Sequence, residues 1–188
     1  MQAFDSLSRD IQQYIYDKGW PSLTSIQNAA IKQVANTDHN LILSAPTASG
    51  KTEAAFIPAL NSVEDWETGL KVLYISPLKA LINDQFHRIS ELSEYLDIPI
   101  TRWHGEVSQA QKKKVVNQPK GVLLITPESI EGMLVNRPGE AQHLFKGVEW
   151  IIIDELHSFL GTERGIHLQS LLQRISRFMQ APRFIAMS

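Results

Sequence analysis

Six short apolar runs, many of them β-branched, recur along the chain, with segments of helical spacing between them. They are "NLILS" from Asn40, "KVLYIS" from Lys71, "IPITRW" from Ile98, "GVLLIT" from Gly121, "WIIID" from Trp150 and "RFIAMS" from Arg183. A strand with one face in water alternates apolar and polar residues. A run that is apolar throughout suits a strand covered on both faces, as in a parallel sheet. Parallel neighbours need long crossovers, usually helices. Helical patterns follow Gly50 and Pro77, cover "SQAQKKKVVN", and run from Gly165 to about Met179. Pro77 and Pro127 each stand just after a strand, where proline can open a helix. The pattern predicts an α/β domain with a mostly parallel central sheet and helices on both faces. Ahead of the first strand, Ser6 to Asn36 reads as two helices broken apart at Gly19, Trp20 and Pro21. Loops are expected at "NRPGEAQ" (Asn136 to Gln142) and "ETG" (Glu67 to Gly69).

Composition narrows the function classes. The chain has 188 residues, enough for one sizeable core. It contains no cysteine, which excludes disulfides and thiolate metal sites and fits a reducing compartment. Its histidines lack H-x3-H or H-E-x-x-H spacing, so a zinc centre is not expected. "MQAFDSLSRD" has neither the basic start nor the apolar stretch of a signal peptide. No apolar run approaches the roughly 18 residues that span a bilayer, so a soluble, cytoplasmic domain without a membrane partner is expected. The net charge is −2, so any nucleic-acid contact must be local. "RFIAMS" ends without a polar tail and reads as the last strand of a fragment.

Two sites carry the chemistry. In "LILSAPTASGKTEAAF" a strand runs through small residues into a helix. A phosphate-binding turn needs small residues so that backbone N–H groups converge on one anion, a lysine for the outer phosphates, and a hydroxyl for magnesium. Ala45, Pro46, Thr47, Ala48, Ser49, Gly50, Lys51 and Thr52 supply these parts, with alanine in place of the usual first glycine. In "VEWIIIDELH" the carboxylates of Asp154 and Glu155 emerge at the C-terminal end of a buried strand, where open α/β sheets bind ligands. Asp154 suits magnesium, and Glu155 suits orienting and deprotonating a water. Alone, each site has a structural alternative. Together, Lys51, Asp154 and Glu155 as the catalytic set and Thr52 with Asp154 as metal ligands are the parts of Mg2+-dependent nucleotide hydrolysis; the nucleotide is identified as ATP only by the resemblance below.

The ordered motifs resemble those of superfamily 2 helicases of the DExH type, in their first RecA-like P-loop NTPase domain. "APTASGKT" is similar to motif I, "SPLKALIND" to motif Ia, "TPES" to motif Ib, "DELH" to motif II, and "MS" to the start of motif III. "GWPSLTSIQ" resembles a Q motif, although Leu23 stands where the family has proline. "WHGEVSQAQKKK" and "DELHSFLGTERGIHLQSLLQRI" are most like the large helicase-related (Lhr-type) branch, with the Ski2-like branch next.

The resemblance implies that residues 1–188 form a single RecA-like ATP-binding domain. Residues 1–38 would hold the N-terminal helices and the Q motif, 39–188 the sheet, and a second RecA-like domain of the full-length chain would lie outside. It implies adenine contacts from Gln27 and Thr24, with Trp20 as a stacking candidate. It implies nucleic-acid contacts from Pro77, Lys79, Gly105, Thr126, Pro127 and Glu128, and coupling through His157 and Ser188. Several of these have plainer alternatives: Thr126 as a helix cap, Gly105 as a turn, and His157 as cover for the sheet edge. For Arg164 and for the run Lys112 to Lys114 the structural reading is preferred, a salt bridge and a solvated helix face, and Trp103 is assigned to the core. The expected activity is ATP-driven translocation on, and unwinding of, single-stranded or partly duplex DNA or RNA. A translocase without strand separation and a non-enzymatic nucleotide-binding module are the rivals.

Overall fold

The computed structural model describes residues 2–46 and 49–188. Each of the six apolar runs is a strand: β1 (Leu41–Leu43), β2 (Gly69–Ile75), β3 (Ile100–Trp103), β4 (Lys120–Ile125), β5 (Trp150–Ile153) and β6 (Arg183–Met187). They form one sheet in the order β1-β6-β5-β2-β4-β3, and every neighbouring pair is parallel. Among the described residues eight α-helices join or precede them: α1 (Arg9–Asp17), α2 (Ser25–Asn36), α3 (Lys51–Ser62), α4 (Lys79–Tyr95), α5 (Gln109–Asn117), α6 (Pro127–Asn136), α7 (Pro138–Phe145) and α8 (Glu163–Ser176).

Burial follows sheet position. Central strands β2, β4 and β5 are buried almost end to end, which is why their sequences are apolar throughout. Their side chains divide by parity between two cores. Val72, Tyr74, Leu124 and Ile152 meet the N-terminal helices with α3 and α4. Leu73, Ile75, Leu123, Ile151 and Ile153 meet α6, α7 and α8. Edge strand β1 is covered on one side only, so Ile42 remains 72% exposed. Most strand side chains lie in these two layers, and full burial of one Leu or Ile contributes about 1.5–3 kcal/mol.

Four details depart from expectation. "NRPGEAQ" is not a loop: Asn136 ends α6 and Pro138 opens α7. Proline's fixed φ suits the first helical position, and Ala141, Leu144 and Phe145 give the following turns an apolar face that is fully buried. Pro77 does not open a helix. It precedes Leu78, whose extended backbone (φ −136°) leads into α4 at Lys79. Glu163 starts α8 two residues early because Thr162 caps it, and the helix ends at Ser176, short of Met179. Ser6 belongs to a short 3-10 turn, Phe4–Ser6, ahead of α1.

Candidate nucleotide and nucleic-acid sites

The turn between β1 and α3 sits at the C-terminal edge of the sheet. Thr47 and Ala48, both expected to face phosphate, lie outside the described residues. Gly50 caps α3 at φ +83°, in the left-handed region that glycine enters without penalty. A Cβ there would stand 2.6 Å from Gln27 Nε2, so close approach of α2 also requires glycine. Lys51 folds back, its ammonium donating to the carbonyls of Ala45 and, at 3.0 Å, Ser188. Thr52 is buried, its hydroxyl donating to Gln85 at 3.2 Å. Ser49 Oγ is buried with no hydrogen-bond partner among the described residues, and Pro46 is exposed.

Gln27 is held against this turn by the start of α2. Thr24 caps the helix: its Oγ1 accepts from the Gln27 N–H, while Gln27 Oε1 accepts from the Thr24 N–H at 2.9 Å. Gln27 Nε2 donates to the Gly50 carbonyl at 3.5 Å. The reciprocal cap fixes the amide, and each polar end retains one free hydrogen-bonding position. Trp20 is half-buried, packed edge-on against Tyr14 with ring centres 6.1 Å apart.

The acidic pair leaves β5 two strands from β1, with β6 between. Asp154 is buried and its two oxygens are separately engaged. Oδ2 accepts from the Tyr74 hydroxyl, and Oδ1 accepts from the Glu155 N–H at 3.0 Å. Burial pushes the Asp154 carboxyl above its ordinary value, while the Tyr74 hydrogen bond and the nearby Lys51 charge act in the opposite direction. Burial, then the Asp154 charge, drives the Tyr74 phenol well above its own. Glu155 adopts φ +46°, a conformation that costs a side-chain-bearing residue about 1–3 kcal/mol.

Glu155 Oε2 lies 3.1 Å from His157 Nε2, and His157 Nδ1 lies 3.3 Å from Ser188 Oγ. Since the Ser188 carbonyl receives Lys51, the turn between β1 and α3, the acidic pair and the end of β6 form one connected set.

A second cluster gathers farther along the same edge. Pro77, Lys79, Gly105, Thr126 and Glu128 line one open depression, together with His104 and Arg164. Thr126 is a helix cap, accepting from the Ser129 N–H at 3.3 Å, and Pro127 is the buried first residue of α6. Lys79 pairs with Glu106. Arg164 donates to the Pro77 carbonyl at 2.8 Å and pairs with Glu128 at 2.7 Å, so its guanidinium ties α8 to two of these segments. His104 is buried with neither ring nitrogen hydrogen-bonded, and burial lowers its pKa. Lys113 and Lys114 are exposed, Lys112 rides over the Trp103 ring at 5.8 Å, and Trp103 is buried.

Tyr74 and Gln85 were absent from the expected site. The tyrosine carried a signal: a hydroxyl inside a run buried on both faces needs a polar partner. Gln85, within an ordinary helix, carried none. Among the described residues no group of three His, Cys, Asp or Glu could hold a metal by itself, and no helix is long and apolar enough to cross a membrane.

The family model described as "DEAD/DEAH box helicase" matches residues 24–188. The ATP-dependent helicase Lhr-Core of Methanocaldococcus jannaschii is 29% identical over an alignment covering 94% of this chain and 22% of that protein. The Lhr helicase/uracil glycosylase of Escherichia coli is 34% identical over 83% of this chain and 11% of its own length. The solved structure of Mycobacterium smegmatis helicase Lhr bound to ssDNA and AMP-PNP superposes with a TM-score of 0.87 at 27% identity, over 100% of this chain and 25% of that one. The chain thus spans a quarter or less of each of these proteins.

Proposed function

We propose a motor role for this chain, which belongs to the DEAD/DEAH box helicase family and, within it, to the Lhr type: it is the first RecA-like domain of an ATP-dependent nucleic-acid helicase. The observation that carries this reading is the connected set Lys51–Ser188–His157–Glu155, with Asp154 adjoining. A cation, two carboxylates and a hydroxyl-bearing helix start joined in one set support a shared triphosphate site.

The triphosphate would lie on the N-terminus of α3, where backbone N–H groups and the helix dipole favour an anion. Lys51 would exchange its two carbonyl partners for the outer phosphates. Gln27 would use its free donor and acceptor positions on the adenine edge, with Thr24 holding the amide and Trp20 beside the base. The donor set fits magnesium, since the Thr52 hydroxyl and the Asp154 carboxylate are hard oxygen ligands and the unpartnered Ser49 hydroxyl adds a third oxygen nearby. Magnesium supplies positive charge that offsets the charge developing on the phosphates. Glu155 would orient the attacking water and take its proton, and His157, in contact with that carboxylate and with Ser188, would relay its state.

The depression at Pro77, Lys79, Gly105, Thr126, Pro127 and Glu128 would take the backbone of a DNA or RNA strand. Such contacts make binding largely sequence-independent and salt-sensitive. A second RecA-like domain in the full-length protein would supply the arginines that stabilise the transferring phosphoryl group, and closure between the two would drive translocation. The test is ATP turnover and strand displacement by the full-length protein, wild type and Glu155→Gln. Nucleic-acid-stimulated turnover with release of the partner strand, both lost in the variant, supports the reading. Turnover without strand release would point to a translocase, and no turnover at all to a binding module.

A further inference from the structure

Asp154 has a soft torsion that the rest of the site depends on. A carboxylate turns about its last bond over a broad, roughly two-fold profile, so its plane must be set by what it touches. Here each oxygen has its own donor: the Glu155 N–H on Oδ1 and the Tyr74 hydroxyl on Oδ2. The backbone donor is local and comes with the turn. The tyrosine is not local, since it reaches Asp154 from β2, 80 residues away in sequence.

The tyrosine itself has little freedom. Tyr74 is fully buried, paired in register with Ile152 of β5, and its ring stacks on Phe56 of α3 with centres 5.5 Å apart and planes at 30°. Phe56 lies in the helix that Lys51 and Thr52 begin. The ring therefore packs against the helix that presents the lysine and hydroxyl, and the phenol at its end sets the carboxylate across from them. Satisfying a buried hydroxyl would need any single acceptor. It would not need a carboxylate at the end of β5, whose plane the second donor sets.

We propose that Tyr74 is a positioning residue that aims the Asp154 carboxylate at the magnesium–triphosphate complex. The inference rests on the nucleotide reading above. Outer-shell partners of metal-binding carboxylates commonly alter metal affinity by tenfold or more when removed.

The test is nucleotide binding by calorimetry as a function of magnesium, comparing wild type with Tyr74→Phe and with Phe56→Leu, which alters the same packing but leaves the hydroxyl in place. Thermal unfolding is followed alongside. The expected result is a roughly tenfold rise in the magnesium concentration needed for half-maximal binding in Tyr74→Phe. Its affinity for nucleotide in EDTA should stay within about twofold of wild type, and Phe56→Leu should shift the magnesium midpoint far less even if it melts lower. Equal magnesium midpoints in wild type and Tyr74→Phe overturn the proposal and leave the nucleotide site standing. So does a parallel loss of EDTA binding and melting temperature in Tyr74→Phe, which would make the hydroxyl a packing element. A wild-type protein without magnesium-dependent binding removes the nucleotide reading and this proposal with it.

Discussion

Glu155 holds the least comfortable backbone of the site, φ +46° on a residue with a full side chain, and that turn is what delivers its carboxylate to His157. Replacing the carboxylate by an amide keeps the shape and removes the base. Glu155→Gln should therefore lower ATP turnover by about 10²-fold or more, with nucleotide affinity changed by no more than about threefold, as measured by steady-state hydrolysis and equilibrium titration. Gly50 is constrained twice, by its φ of +83° and by Gln27 at 2.6 Å from any Cβ. Gly50→Ala should push the Gln27 amide aside and weaken nucleotide binding by roughly tenfold or more, a cost of about 1.4 kcal/mol, readable in the same titration. Lys51, Thr52, Asp154 and Glu155 could be read from the chain because their spacing and flanking pattern are local. Tyr74 and Gln85 could not be placed, because their partners Asp154 and Thr52 lie 80 and 33 residues away. Arg164 makes the expected salt bridge, to Glu128, while its bond to the Pro77 carbonyl, 87 residues away, carried no signal.

At the scale of elements, α6 and α8 are joined by a charged clamp: Glu131 accepts from the two terminal guanidinium nitrogens of Arg174 and lies 2.9 Å from His167. The Arg174 hydrogen bonds first, and the His167 contact second, hold the Glu131 carboxyl at about 2 instead of 4.5. A depressed carboxyl stabilises the fold fully above its unfolded value and loses that contribution as pH falls toward the folded one. Glu131→Gln should thus be less stable than wild type by about 1–2 kcal/mol near neutral pH. The gap between the two melting temperatures should narrow from pH 4.5 to about 2, as followed by thermal unfolding. All six strands were legible because a both-faces-buried strand writes itself as an unbroken apolar run. Helix α7 was not, since "NRPG" carries turn residues and its buried face needs only Ala141, Leu144 and Phe145, too few to show a period.

At the scale of the whole molecule, the sheet order sets β6 between β1 and β5, so Ser188 at its end touches both the lysine of one flank and the histidine of the other. The motif order along the chain announced this edge before any contact was known, while the bridging role of Ser188 needed the topology. In the proposed reading one RecA-like unit contributes the lysine, the acidic pair and the metal ligands, and a second contributes the arginines. The chain alone should therefore turn ATP over slowly, about 10³-fold or more below the full-length protein with nucleic acid, in a steady-state hydrolysis assay. The central claim is that one triphosphate–metal complex is shared between Lys51 and Asp154. Its most direct test is the affinity of the chain for ATP by calorimetry, in magnesium and in EDTA, for wild type, Lys51→Ala and Asp154→Asn. Saturable binding in wild type with magnesium, at least tenfold weaker in EDTA and in either variant, is the result expected. Absent binding, or binding of equal strength under all of these conditions, would contradict it.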